Sequence, residues 1–166
     1  MYQGTIKNLA ELDTKSVAIK TLRENASPKS KTEFLKKAEI MSHFEHTHVL
    51  KLLDVCSNPP ILILELMEID LLNYLKESRT LLPTDSRALR LHDLLDICVD
   101  VARGCCYLEQ MHFVHRDLAC RNCLVSGKDR ENRIVKISDF GLTRDIYRND
   151  YYRKVNAVSF IYKKVY

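Results

Sequence analysis

From Leu91 onward, Leu94, Leu95, Cys98, Val101, Ala102, Cys105 and Leu108 recur on one face of a helix for about six turns. A helix of that length needs other elements to cover its apolar side, and the flanking segments supply them. Ser16 to Leu22 alternates and is rich in β-branched residues, so it reads as a strand. Ser30 to Phe44 places Phe34, Leu35, Ala38 and Met41 at helical spacing. Leu50 to Val55 and Ile61 to Leu66 are short aliphatic runs around Asn58-Pro59-Pro60, which is turn chemistry, so they read as a hairpin. Asp70 starts a polar-faced helix, and Glu77 to Arg90, with Pro83, reads as a loop. After the long helix come two short strands, Asn122 to Val125 and Ile134 to Ile137, and a tail rich in Tyr, Arg and Lys. The expected class is α+β, with a strand-rich front and a helical back.

Composition narrows the function classes. The 166 residues are 46% hydrophobic and 29% charged, which fits a folded chain with a core of moderate size. A dispersed net charge of +4 does not favour nucleic acid as a partner, and it leaves nucleotide phosphate or an acidic peptide open. The longest apolar run, Ile61 to Met67, contains Glu65 and falls short of the roughly 20 residues that span a bilayer. Nothing after Met1 resembles a secretory signal, so the chain is expected to start in the cytosol with its six cysteines reduced. Cys120 and Cys123 lack a second pair at zinc spacing, and His43, His46 and His48 lack matching ligands, so both groups read as core and loop.

The densest chemistry lies between Phe113 and Val125. His115-Arg116-Asp117 is followed five residues after the Asp by Asn122. A carboxylate held beside an apolar His can accept the proton of a substrate hydroxyl, and an amide oxygen five residues on can hold Mg2+. Asp139-Phe140-Gly141 follows the first Asp by 22 positions, at the end of a strand. Its carboxylate suits phosphate-bound Mg2+, with the Phe packed inward to set its direction. Upstream, Val17-Ala18-Ile19-Lys20 projects a Lys from an apolar strand. Alone that Lys reads as a snorkelling edge residue; ahead of the other two motifs it fits a phosphate contact.

With these motifs in order, the chain resembles a protein-tyrosine kinase domain, specifically the Sevenless/ROS receptor group, over roughly residues 2–154. The similarity is carried by ILELM, by DLLDICVDVARGCCYLEQMHFVHRDLACRNCLV and by RENRIVKISDFGLTRDIYRNDYYRK. Arg121 before Asn122 is similar to the tyrosine-kinase form of the loop, whereas serine/threonine kinases usually carry Lys at the place of Ala119. The resemblance implies ATP and Mg2+ as cofactors, protein tyrosine as acceptor, and a kinase dimer for trans-phosphorylation. It implies Asp117 as base, Arg121 as an acceptor-positioning residue and Lys20 on the α and β phosphates. Asn122 and Asp139 would hold metal. An adenine pocket would lie under Ala18, Leu64 and Leu124, with the backbone of Glu65 and Met67 bonding the base. Tyr147, Tyr151 and Tyr152 resemble an autophosphorylation set. His115, Phe140 and Met41 would form an apolar spine between lobes, a role equally compatible with plain core. The implied location is the cytoplasmic side of the plasma membrane, reached through parts of the receptor outside this sequence.

Four departures from the family pattern shape the expectation. The two-lobed kinase-like fold is expected to be truncated at both ends. The small lobe would lack its first strand and Gly-rich loop, and the large lobe the helices after the activation segment. Residues 1–66 would form the partial small lobe, 67–154 the partial large lobe, and 155–166 a non-matching tail. Lys37 stands where the family has a Glu facing the strand Lys, so two ammonium groups would meet at a cost of roughly 1 kcal/mol or more. Glu33, one turn earlier, is the expected partner of Lys37. The hinge, ELMEIDLL, is one residue shorter than the family's and lacks its Gly pair, so it should be stiffer. Uncovered, the helix from Leu91 to Met111 would expose apolar surface. These features imply that the segment is inactive on its own. The alternative function is a catalytically dead, pseudokinase-like interaction module.

Overall fold

The computed structural model describes residues 2–7, 14–23, 25–128, 130 and 132–145. Tyr147, Tyr151, Tyr152 and the segment 155–166 lie outside them. The first sheet has four antiparallel strands in the order β1-β2-β4-β3: β1 (Tyr2–Lys7), β2 (Thr14–Thr21), β3 (Leu52–Ser57) and β4 (Pro60–Glu65). The expected hairpin is therefore present as β3 and β4. Across β2 and β4, Ala18 stands opposite Leu64 and Lys20 opposite Leu62.

Helix α1 (Pro28–Met41) begins two residues before the sequence reading. Ser27 caps it by accepting from the Ser30 amide at 3.1 Å, and Pro28 takes the first turn, where its missing N–H costs nothing. The helix ends at Met41; Phe44 is buried, but in the loop that follows. Its inward face is Phe34, Ala38 and Met41.

A short strand β5 (Ile69–Asp70) leads into α2 (Leu71–Arg79), capped by Asp70, whose Oδ1 accepts from the Asn73 amide at 3.0 Å. Helix α3 (Leu91–Gln110) is the long one. After it come β6 (Phe113–Val114), β7 (Cys123–Val125), β8 (Val135–Ile137) and β9 (Arg144–Asp145). They make a β5-β7-β8 sheet and a β6-β9 pair, both antiparallel.

The face of α3 differs from the sequence reading. Leu108 is buried and Val101 and Cys105 are half-buried, but Leu94, Leu95, Cys98 and Ala102 are exposed, Leu95 at 58%. The buried side instead carries Asp93, Ile97, Gly104 and Leu108. Two interactions turn the helix this way. Gly104 lets α3 touch its neighbours so closely that a Cβ there would lie 2.6 Å from the His48 carbonyl oxygen and 2.9 Å from Ile137 Cδ1. Asp93 accepts from the Arg90 amide at 2.8 Å and lies 3.6 Å from Arg130 and 3.7 Å from Arg133, so its carboxylate is compensated inside.

The four-stranded sheet and the helical part are joined through β8. Leu50 donates to the Ile137 carbonyl and Ile137 donates to that of His48, both at 2.9 Å. One apolar cluster, including Ala18, Met41, Phe44, Leu64, Ile137 and Phe140, runs through this junction. A second one gathers Leu71, Tyr74, Ile97, Cys123, Val125 and Val135 under α2 and α3.

Candidate active site

The loop after β6 is tied to the segment after β8 by a chain of hydrogen bonds. His115 is buried, and its Nε2 donates to the Ser138 carbonyl at 2.8 Å. That leaves Nδ1 to accept from the Asp117 amide at 3.3 Å, so both contacts fit one neutral tautomer. The ring also packs edge-on against Phe140, with centroids 5.3 Å apart. Arg116, between His115 and Asp117, has φ 69° and turns the chain through the left-handed region.

Asp117 is held at every polar atom that matters for its direction. Asn122 Nδ2 donates to its backbone carbonyl at 2.8 Å and to its Oδ2 at 3.0 Å. Arg121 donates to Oδ1 at 2.6 Å. The five-residue spacing read from sequence is thus the span of a 3-10 turn, Cys120–Asn122, that folds Asn122 back under Asp117. The Asn122 carbonyl in turn accepts from the Ser138 amide at 2.8 Å and its hydroxyl at 2.9 Å. Cys123, next in the chain, is buried in the β7-β8 sheet, and that burial pushes its thiol up to about 11.

Asp139 stands at the end of this chain in a left-handed conformation (φ 58°, ψ 66°), exposed, while Phe140 behind it is buried. Because Asn122 uses its amide nitrogen on Asp117, its amide oxygen has no hydrogen bond among the described residues. A free amide oxygen and an exposed carboxylate are hard oxygen donors of the kind Mg2+ takes, so the donor set fits that ion.

The apolar residues read as an adenine pocket share one cluster: Ala18 and Leu64 are buried, and Met67 and Leu124 pack partly exposed against the same core. The Met67 amide makes no hydrogen bond among the described residues. The Glu65 side chain is committed elsewhere, which leaves the expected backbone role untouched. Its Oε1 accepts from the Lys51 amide at 2.7 Å, and both oxygens accept from Lys136 Nζ at 2.8 Å. Sequence reasoning missed Lys136; a single charge in the apolar strand Val135–Ile137 was the signal.

Lys20 is half-buried on β2 and, among the described residues, forms no ion pair. Neither does Lys37 pair with Glu33, contrary to the sequence expectation: the Lys37 side chain extends toward Gly141, where a Cβ would lie 3.0 Å from its Nζ. A spacing argument places Glu33 on the same helical face but cannot see that the next segment offers the amine an open glycine.

The motifs read from the sequence thus stand in the structure as a Lys on a sheet, a buried His bonded beside an Asp with its Asn partner, and a left-handed Asp before Phe-Gly. A family model described as "Protein tyrosine and serine/threonine kinase" matches residues 1–163, and the chain belongs to that family. It is a tyrosine kinase domain segment about half identical to ROS and Sevenless. It is 56% identical over 161 residues to the tyrosine-protein kinase transforming protein ros of UR2 avian sarcoma virus, covering 93% of this chain and 40% of that protein. Identity is 52% over 160 residues to the human proto-oncogene tyrosine-protein kinase ROS, and 48% over 163 residues to protein sevenless of Drosophila melanogaster. Those two matches cover 93% of this chain but only 7% and 6% of the relatives. The chain thus spans less than half of each. Among the described residues no helix is long and apolar enough to cross a membrane.

Proposed function

We propose that the protein containing this chain is a receptor-type tyrosine kinase, and that the chain supplies the machinery moving the γ-phosphoryl of ATP to a tyrosine hydroxyl. The observation that carries this reading is the double grip of Asn122 on Asp117, which aims a carboxylate while leaving an amide oxygen for metal. Asp117 takes the hydroxyl proton as the tyrosine oxygen bonds to the γ-phosphorus and the bridging oxygen leaves with ADP. Arg121, bonded to Asp117, orients the acceptor, and Lys20 contacts the α and β phosphates. Asn122 and Asp139 would hold Mg2+, which supplies counter-charge to the phosphates when bound. Adenine lies against Ala18, Leu64 and Leu124, with the backbone of Glu65 and Met67 bonding its edge. The acceptors are protein tyrosines, including Tyr147, Tyr151 and Tyr152 of a second copy, on the cytoplasmic side of the plasma membrane.

A second reading, a catalytically dead nucleotide-binding module, is favoured by Lys37 alone, which puts a cation where the family has a carboxylate. One assay separates the two. The 166-residue chain is incubated with Mg-ATP and a Glu-Tyr copolymer, alongside Lys37→Glu and Asp117→Asn variants, and phosphotyrosine is measured. Phosphotyrosine made by Lys37→Glu and lost on adding Asp117→Asn supports the kinase reading. Nucleotide binding without transfer in any variant supports the second.

A further inference from the structure

Lys37 is a charged side chain beside Asp139 and Gly141 that the proposed chemistry does not use. It lies between the buried Phe34 and Ala38 on the inward side of α1 and is itself half-buried. Its amine and the Asp139 carboxylate flank one point: a Cβ on Gly141 would lie 3.0 Å from Lys37 Nζ, 3.3 Å from its Cε and 3.4 Å from Asp139 Oδ1. The glycine leaves the amine space against the backbone there, and a side chain at this position would press on it. The Asp139 backbone is held in the left-handed region between the bonded Ser138 and the buried Phe140, which sets where its Cα stands. No carboxylate forms an ion pair with Lys37 among the described residues, so its charge is available to the site.

An ammonium on the far side of Gly141 from a carboxylate proposed to hold metal does two things. It opposes a divalent cation, and it offers the phosphates a positive charge that needs no metal. We infer that Lys37 is a built-in counter-cation for the phosphates of the bound nucleotide, making nucleotide binding largely independent of divalent metal. The inference rests on the nucleotide reading above and deepens it.

The test is a titration of the 166-residue chain with a fluorescent N-methylanthraniloyl ATP in EDTA and again in excess Mg2+, with circular dichroism confirming the fold. For the unmodified chain the two affinities are expected to agree within about threefold. In Lys37→Gln and Lys37→Met the affinity in EDTA should fall and the ratio of the two affinities should rise by about tenfold. Lys37→Arg, which keeps the charge, should retain the original ratio. Displacement of the Mn2+ resonance by electron paramagnetic resonance gives a second readout: with nucleotide present, Lys37→Gln should bind Mn2+ more tightly. An unmodified chain that needs Mg2+ for binding by more than about tenfold overturns the inference whatever the variants do. So does an equal ratio in the unmodified chain and Lys37→Gln; both results leave the nucleotide reading standing. Absence of nucleotide binding in every protein and buffer overturns the nucleotide reading and the inference with it.

Discussion

Lys136 Nζ lies 2.8 Å from each carboxylate oxygen of Glu65, joining the end of β4 to β8 across the junction of the sheet and the helical part. The two side chains are only 13% and 19% exposed, so water screens the pair weakly. Glu65 also accepts from the Lys51 amide, which fixes the direction of its carboxylate.

Removing one partner leaves the other charge half-desolvated without compensation. Glu65→Gln and Lys136→Met are each expected to cost about 2–4 kcal/mol in urea unfolding, and the double variant to cost less than the sum of the two. Additive losses would show that the pair is not coupled.

The orientation of α3 gives a sharper contrast. Gly104→Ala would drive a methyl against a backbone oxygen that cannot move aside, so a loss of about 1–3 kcal/mol or more is expected. Ile97→Ala, at a buried position, should cost about 2–5 kcal/mol. Leu95→Lys, on the exposed face, should stay within about 0.5 kcal/mol and raise solubility. Melting curves of the three variants test the assigned face.

Cys123 should show its burial in its chemistry. At pH 8, iodoacetamide is expected to modify the exposed Cys56, Cys98, Cys106 and Cys120 while leaving Cys123 intact until the chain unfolds, as read by peptide mass spectrometry. The folded state binds the Cys123 proton more tightly than the unfolded state, so its contribution is complete below the usual thiol value of 9.0. That contribution is lost as pH rises toward about 11, by about 2 kcal/mol.

Asn122 is expected to matter for stability as well as chemistry. Asn122→Ala strips the Asp117 carbonyl and carboxylate of the amide donor and should cost about 1–3 kcal/mol in denaturant melts. An unchanged midpoint would mean that Asp117 does not depend on this grip.

Sequence made the elements legible where local chemistry is self-contained. Asp70 announces a helix start, Asn58-Pro59-Pro60 announces a hairpin, and the five-residue interval from Asp117 to Asn122 encodes a turn that closes on itself. What stayed hidden depends on distant partners. The face α3 buries is chosen by Gly104 meeting His48 and by Asp93 meeting Arg130 and Arg133, and a periodicity count weights only apolar residues. The destination of Lys37 and the partner of Glu65 were likewise invisible, since Gly141 and Lys136 lie 104 and 71 residues further along the chain.

The proposal that ATP phosphates are held by Lys20, Asn122 and Asp139 is tested most directly by an acyl-phosphate derivative of ATP, which transfers its acyl group to a lysine beside the bound phosphates. After labelling, peptides of the 166-residue chain are mapped by mass spectrometry with and without excess ATP. The account expects Lys20 to be acylated and excess ATP to suppress that labelling. Acylation spread over surface lysines such as Lys29 and Lys76, indifferent to ATP, would contradict it.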